Sequence, residues 1–225
     1  MAIFSSSFLF LHPVKTGGTW VEDRLGSLLP GQVRSATVTS PQGATTISQH
    51  LTLHEAKNLL PGRQLVISIR QPLSWYGSLY LHALRGVNGR KRLALYGGGK
   101  NDFRSVLYGM THPQPERVPD YPIMLTTSGC AHRLAYASGS EGLYAHHFNH
   151  YYCPQALLLR QESLSRDFDQ WQGADTSDAP HRNVGKRESG PPGSYSEWYD
   201  GEMLSWVEEA DGETANFLGY DLHAL

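Results

Sequence analysis

Residues 8–25 read FLFLHPVKTGGTWVEDRL, and this stretch restricts the fold more than any other in the chain. Four consecutive apolar residues suit a strand buried on both faces. Beyond the glycine pair, Val21, Leu25, Leu28 and Leu29 recur at helical spacing until Pro30 and Gly31 supply a stop. A buried strand that turns through Gly17-Gly18 straight into a helix implies an α/β layout, with the turn at the strand's C-terminal end. Successive backbone N–H groups and the positive helix end then face one point, which is a place for an anion. Lys15 adds a full positive charge there.

The rest of the chain continues the alternation. Residues 65–69 and 156–159 are further short apolar runs, so the expected sheet is mostly parallel and flanked by helices. T-L-H-E at 52–55 reads as a capping box, in which the Thr52 hydroxyl and the Glu55 carboxylate satisfy the first N–H groups of a helix. The same signature at Ser194 to Glu197 precedes Tyr199, Met203, Trp206, Val207 and Ala210, which share one face of a C-terminal helix ending near Gly219. The acidic residues between Glu197 and Glu213 read as that helix's solvated face. Three stretches look irregular: 84–104, with six basic residues and one acidic; 110–122, with four prolines; and 173–194, which contains HRNVGKR.

At 225 residues and 40% hydrophobic, the chain is expected to form one domain, spanning 1–225. A net charge of −2 argues against a general nucleic-acid binder, so any basic patch is local. The cysteines, Cys130 and Cys153, form neither a metal spacing nor a disulfide framework, which points to a cytoplasmic location. No run approaches the roughly 20 apolar residues that span a bilayer. Among the histidines, His146, His147 and His150 have helical spacing but no acidic or cysteine partner nearby in sequence, so no metal is assigned to them.

The loop at 13–19 is not a nucleoside-triphosphatase loop, because its lysine precedes the glycines. GGGK at 97–100 fails too, with Ala94 at the position of the first glycine and Asn101 in place of Ser or Thr. Lys15-Thr16-Gly17-Gly18-Thr19-Trp20 instead resembles the 5′-phosphosulfate loop of sulfotransferases that use 3′-phosphoadenosine 5′-phosphosulfate (PAPS). The common form of that loop is Pro-Lys-Thr/Ser-Gly-x-Thr. Here Val14 precedes the lysine and the proline stands at 13. A second matching landmark is LVISIRQPLSWYGSLY, with Arg70 at a strand end, Pro72 after it and Ser78 in the next helix. LLLRQESL, with Glu162 and Leu164, resembles a structural element of the same family. HRNVGKRES resembles its late basic loop, and FLGYD its C-terminal signature. Residues 84–150 show no such match.

The resemblance implies a P-loop-like α/β sulfotransferase architecture and transfer of a sulfuryl group from PAPS to a hydroxyl acceptor, leaving 3′-phosphoadenosine 5′-phosphate (PAP). It implies cofactor contacts from Lys15, Thr16, Gly17, Gly18 and Thr19, packing of Trp20 against the adenine, and a grip on the 3′-phosphate by Arg70, Ser78 and Lys186 or Arg187. Lys15 would stabilise the leaving phosphate, and no metal is required. Twenty positions before Arg70, where the family places its base, stands His50, with His54 as the runner-up. Residues 84–122 are the expected acceptor or lid region, and 173–194 a flexible cofactor loop. The basic stretch would suit an anionic or sugar-like acceptor. Two other readings remain open on the sequence: a kinase-like phosphotransferase, which would need a triphosphate loop, and a noncatalytic binder of the same nucleotide.

Overall fold

The computed structural model describes residues 2–39, 45–47, 51–112, 141–176 and 195–223. In chain order the elements are β1 (Ile3–Phe4), β2 (Phe8–Leu11), α1 (Gly18–Leu28), β3 (Arg34–Ser35), β4 (Thr37–Thr39), β5 (Thr45–Ile47), α2 (Leu53–Ala56) and β6 (Gln64–Ile69). There follow α3 (Pro72–Leu84), α4 (Val87–Tyr96), α5 (Phe103–Thr111), α6 (Leu143–Asn149), β7 (Leu157–Arg160), α7 (Leu164–Gln172) and α8 (Gly201–Phe217). Where the sequence suggests one domain, the described residues group into two compact units, one of 2–70 with 148–176, the other of 71–112 with 141–147 and 195–223.

The first unit is an α/β sheet of order β3-β1-β2-β6-β7. β2 pairs parallel with β6 in the register Leu11↔Ile67, and β6 pairs parallel with β7 in the register Ile69↔Arg160. β1 is antiparallel to both β2 and β3, so the sheet is mixed rather than mostly parallel. Loop length accounts for the difference. Only residues 5–7 join β1 to β2, a hairpin connection too short for the crossover that parallel strands need. The Ser5 hydroxyl closes that turn by accepting from the backbone N–H of Ser7 at 3.1 Å and of Phe8 at 3.3 Å. β4 and β5 form a separate antiparallel ribbon.

The apolar strands divide their side chains by the period of two. Phe8, Phe10 and Val66 enter one core with Trp20, Val21 and Leu25 of α1 and Leu164 and Phe168 of α7. Leu9, Leu11, Leu65 and Ile67 enter the other, with Leu51, Ala56 and Tyr151. A strand covered on both faces has no polar positions to alternate, which is why FLFL and LVISI read as nearly continuous apolar runs.

The second unit is helical. Gln71 caps α3, its side-chain oxygen accepting from Ser74 N–H at 2.8 Å, and Pro72 fills the first turn, where a missing N–H costs nothing. Residues 87–96, within a stretch that reads as irregular, are α4, and 103–111, which bridge that stretch and the proline-rich one, are α5. The sequence concealed α4 because it turns only Leu93 and Tyr96 fully inward and starts from Gly86, which offers no capping side chain. The cap expected at Ser194 lies outside the described residues. Residues 195–198 form a 3₁₀ turn, and Asp200 caps α8 instead, accepting from Met203 N–H at 2.9 Å. No helix of the described residues is long and apolar enough to cross a membrane.

The acidic face assigned to α8 holds with one exception. Glu202, Glu208 and Glu213 are exposed, but Asp211 is 1% exposed. Its Oδ1 accepts from Ala145 N–H at 2.9 Å in the first turn of α6, and its Oδ2 accepts from the Tyr76 hydroxyl at 2.7 Å. The same hydroxyl accepts from Tyr144 N–H at 3.1 Å. Gly142 is required beside it, since a Cβ there would lie 2.4 Å from Asp211 Oδ1. Burial pushes the Asp211 carboxyl up to about 7, against the pull of the Tyr76 and Ala145 hydrogen bonds, and Glu141 adds to the rise.

Because the folded state holds this proton more tightly than the unfolded chain, the stabilising effect is complete below pH of about 4 and is lost as pH rises through about 7. Parent and Asp211→Asn should therefore diverge in urea unfolding between those limits. The parent is expected to lose stability relative to the variant by on the order of 1 kcal/mol per pH unit. A difference constant across pH would show that the carboxyl does not titrate in this range.

Candidate anion-binding loop

Thr16 holds the loop in place. Its side chain is fully buried, donates to the Pro13 carbonyl at 2.6 Å and lies 2.6 Å from the Ser68 hydroxyl near the end of β6. Parallel pairing of β2 with β6 sets that meeting, since the register brings both strand ends to the same edge of the sheet. Ser68 is the one polar residue in the run LVISI, and nothing in the sequence marks it as the partner of Thr16.

On either side of Thr16 the backbone is left-handed. Lys15 has φ 65°, the only non-glycine residue with positive φ among those described, and Gly17 has φ 85°. A side-chain-bearing residue in that region costs on the order of 1 kcal/mol, and it persists only where its surroundings enforce it. Arg70 contributes to that enforcement: its Nη1 donates to the Lys15 carbonyl at 3.2 Å, tying the loop to the end of β6. Lys15 is half-buried and Thr19 exposed.

Gly17 occupies the cap of α1 and has no side chain with which to cap it. No hydroxyl or carboxylate at the cap position competes for the helix's first N–H groups, the arrangement that suits an external anion. A Cβ on Gly17 would come within 2.7 Å of Leu164 Cδ2, so the Glu-x-Leu turn after β7 packs directly under the loop. Gly18 is more constrained still. Its Cβ would fall 2.0 Å from His12 Cδ2. His12, 8% exposed, is held under the start of α1 by Glu22, with Nδ1 and Oε1 2.9 Å apart. The sequence does not announce this pair, because ten positions separate its members and only the strand–turn–helix geometry brings them together.

The structure gathers Lys15, Thr16, Gly17, Gly18, Thr19 and Arg70 at one end of the parallel strands of the first unit. Trp20 belongs to the core, at 3% exposure, its ring edge-on to Phe168 with centroids 5.3 Å apart. That packing leaves its indole little surface for the adenine contact that the resemblance implies. Ser78 lies in the second unit on α3, 8% exposed. His50, Lys186 and Arg187 lie outside the described residues. His54 is exposed on α2. Of the histidine cluster, His147 is fully buried in the second unit and stacks on Trp75 at 5.5 Å. The His150 carbonyl, in the first unit, accepts from Leu53 N–H at 2.8 Å.

Gly18→Ala should force the His12 ring aside and cost about 1–3 kcal/mol in unfolding free energy. Combining it with His12→Ala should cost less than the sum of the single changes, because the second substitution vacates the space the first one needs. Additive effects in a double-mutant cycle would mean that the ring does not set the requirement for glycine. Comparisons of the chain with family models, with characterised proteins and with solved structures give no match, so the functional reading rests on these residues.

Proposed function

We propose that the chain is a PAPS-dependent sulfotransferase acting on a hydroxyl acceptor. The observation that carries the reading is the loop itself: a lysine at a left-handed position, followed by a helix start with no side-chain cap, at the end of a strand parallel to β6, which Arg70 directly follows. This donor set fits a 5′-phosphosulfate. It offers backbone N–H groups and one lysine, and a sulfuryl group carries less negative charge than a terminal phosphoryl group, so little more is needed to stabilise it. PAPS supplies the activated sulfuryl group. Lys15 neutralises the charge that grows on the bridging phosphate oxygen as the bond to sulfur lengthens, and the α1 amides hold that phosphate in line with the incoming oxygen. The acceptor's proton passes to a base, which the family resemblance assigns to His50. Ser78, Lys186 and Arg187 are assigned to the 3′-phosphate by the same resemblance alone.

Arg70 bears two readings that calorimetry separates. PAP should bind far more tightly than AMP, and Arg70→Ala should cost PAP about 1.5–3 kcal/mol more than it costs AMP, whose loss reflects only the contact with the Lys15 carbonyl. Equal losses for the two nucleotides would make Arg70 a prop for the Lys15 carbonyl. Equal affinities in the parent would remove the 3′-phosphate assignment altogether.

Turnover distinguishes the enzyme from a nucleotide binder. With radiolabelled donor and a panel of glycans, phenols, steroids and alcohols, label should move to one class of acceptor. Lys15→Ala should both weaken PAP and slow transfer, whereas His50→Ala should chiefly slow transfer. Tight PAP binding without transfer to any acceptor would leave a binding protein.

A further inference from the structure

We propose that α4 is a docking face for anionic phospholipid surfaces, a role independent of the sulfuryl-transfer reading. Packing determines which side of the helix faces out. Leu93 and Tyr96 are buried, and Gly89 meets the end of α3 so closely that a Cβ there would lie 2.0 Å from the Ala83 carbonyl oxygen. The opposite side carries Val87, Lys91 and Leu95 at intervals of four, hence in one stripe. Val87 is 62% exposed and Leu95 53%, two of the five large apolar residues exposed among those described.

Basic residues flank the stripe in sequence, and Lys91 lies within it. Arg85, Arg90, Lys91 and Lys100 are exposed, and the sequence from 84 to 101 contains no acidic residue, in a chain whose net charge is −2. Arg90 is fixed at the junction of α3 and α4, its Nη1 donating to the Leu84 carbonyl at 2.9 Å. The nearest carboxylate in sequence, Asp102, is engaged in capping α5, where it accepts from Ser105 N–H at 2.9 Å.

Charge and apolarity together select the occupant. A second copy of the chain meeting this face by a two-fold axis would set like charges against one another. A soluble polyanion would use the cations and gain nothing from two exposed aliphatic side chains. A phospholipid surface uses both, with headgroup phosphates at Arg90 and Lys91 and with Val87 and Leu95 entering the interfacial region beneath them.

The test is co-sedimentation of the full chain with vesicles of phosphatidylcholine alone or mixed with phosphatidylserine, with heparin binding measured in parallel. The parent should sediment with the mixed vesicles only, and less so as salt rises from about 0.1 M to about 1 M and the screening length falls from about 10 Å to about 3 Å. Arg90→Glu with Lys91→Glu should weaken binding at least about 25-fold, at roughly fivefold for each basic residue near such a surface. Val87→Ser with Leu95→Ser should weaken vesicle binding severalfold and leave any heparin binding unchanged. Both double variants replace exposed side chains, and unchanged melting temperatures would show that they fold. Failure of the parent to bind the mixed vesicles overturns the proposal, as does full vesicle binding by the serine variant. Heparin binding without vesicle binding would make α4 a soluble-polyanion site instead.

Discussion

A buried contact between two hydroxyls, Thr16 on the loop and Ser68 on β6, is the constraint on which the first unit's candidate site depends. Both side chains are fully removed from solvent, so the pair must satisfy itself or leave desolvated polar groups. Thr16 does so by donating to the Pro13 carbonyl and meeting Ser68, which closes the turn on itself and fastens it to the neighbouring strand. Arg70 repeats the fastening two residues further along the same chain. A loop pinned at both its hydroxyl and its carbonyl can keep Lys15 in a backbone conformation it would not choose, and the conformational cost is met by the fold before any ligand arrives.

Much of that unit is legible in the sequence, for a simple reason: strands buried on two faces have to be apolar throughout, and FLFL and LVISI declare themselves. Pro30 and Gly31 likewise mark the end of α1, and Gly219 the end of α8. Direction is less visible. Nothing in IF or FLFL says that β1 runs opposite to β2; the three residues between them decide it, because so short a link permits only a hairpin. In the candidate site, Lys15, the glycines and Arg70 stand out as residue types with an obvious electrostatic purpose. His12, Glu22 and Ser68 do not, since their importance lies in contacts made only after β2, α1 and β6 have assembled.

The second unit shows the opposite balance. Its helix α4 escapes a reading based on pattern, since glycines surround it and few of its residues turn inward, whereas α5 carries Phe103, Val106, Leu107 and Met110 at helical spacing behind the Asp102 cap. Aromatic packing organises the interior instead: Phe103 lies edge-on to Tyr80, Trp198 and Tyr199 at centroid separations of 5.1–5.3 Å. Asp211 is the costly element. A carboxylate on α8 looks like one more solvated acid until its position under the start of α6 is known, and there it replaces a local cap with a distant one.

That distant cap bears on the order in which the chain is assembled. Asp211 emerges 66 residues after the Ala145 amide it satisfies, and 135 after the Tyr76 hydroxyl. The sheet waits as well, because β6 acquires its second parallel neighbour only when β7 has been made, and the helices from α3 to α6 lie between them in sequence. On a nascent chain, then, neither unit can close from its own first half. The apolar edge of β6 and the polar start of α6 are both exposed for the time needed to synthesise the other unit's segments, a period in which protection by chaperones counts for more than the stability of the finished protein.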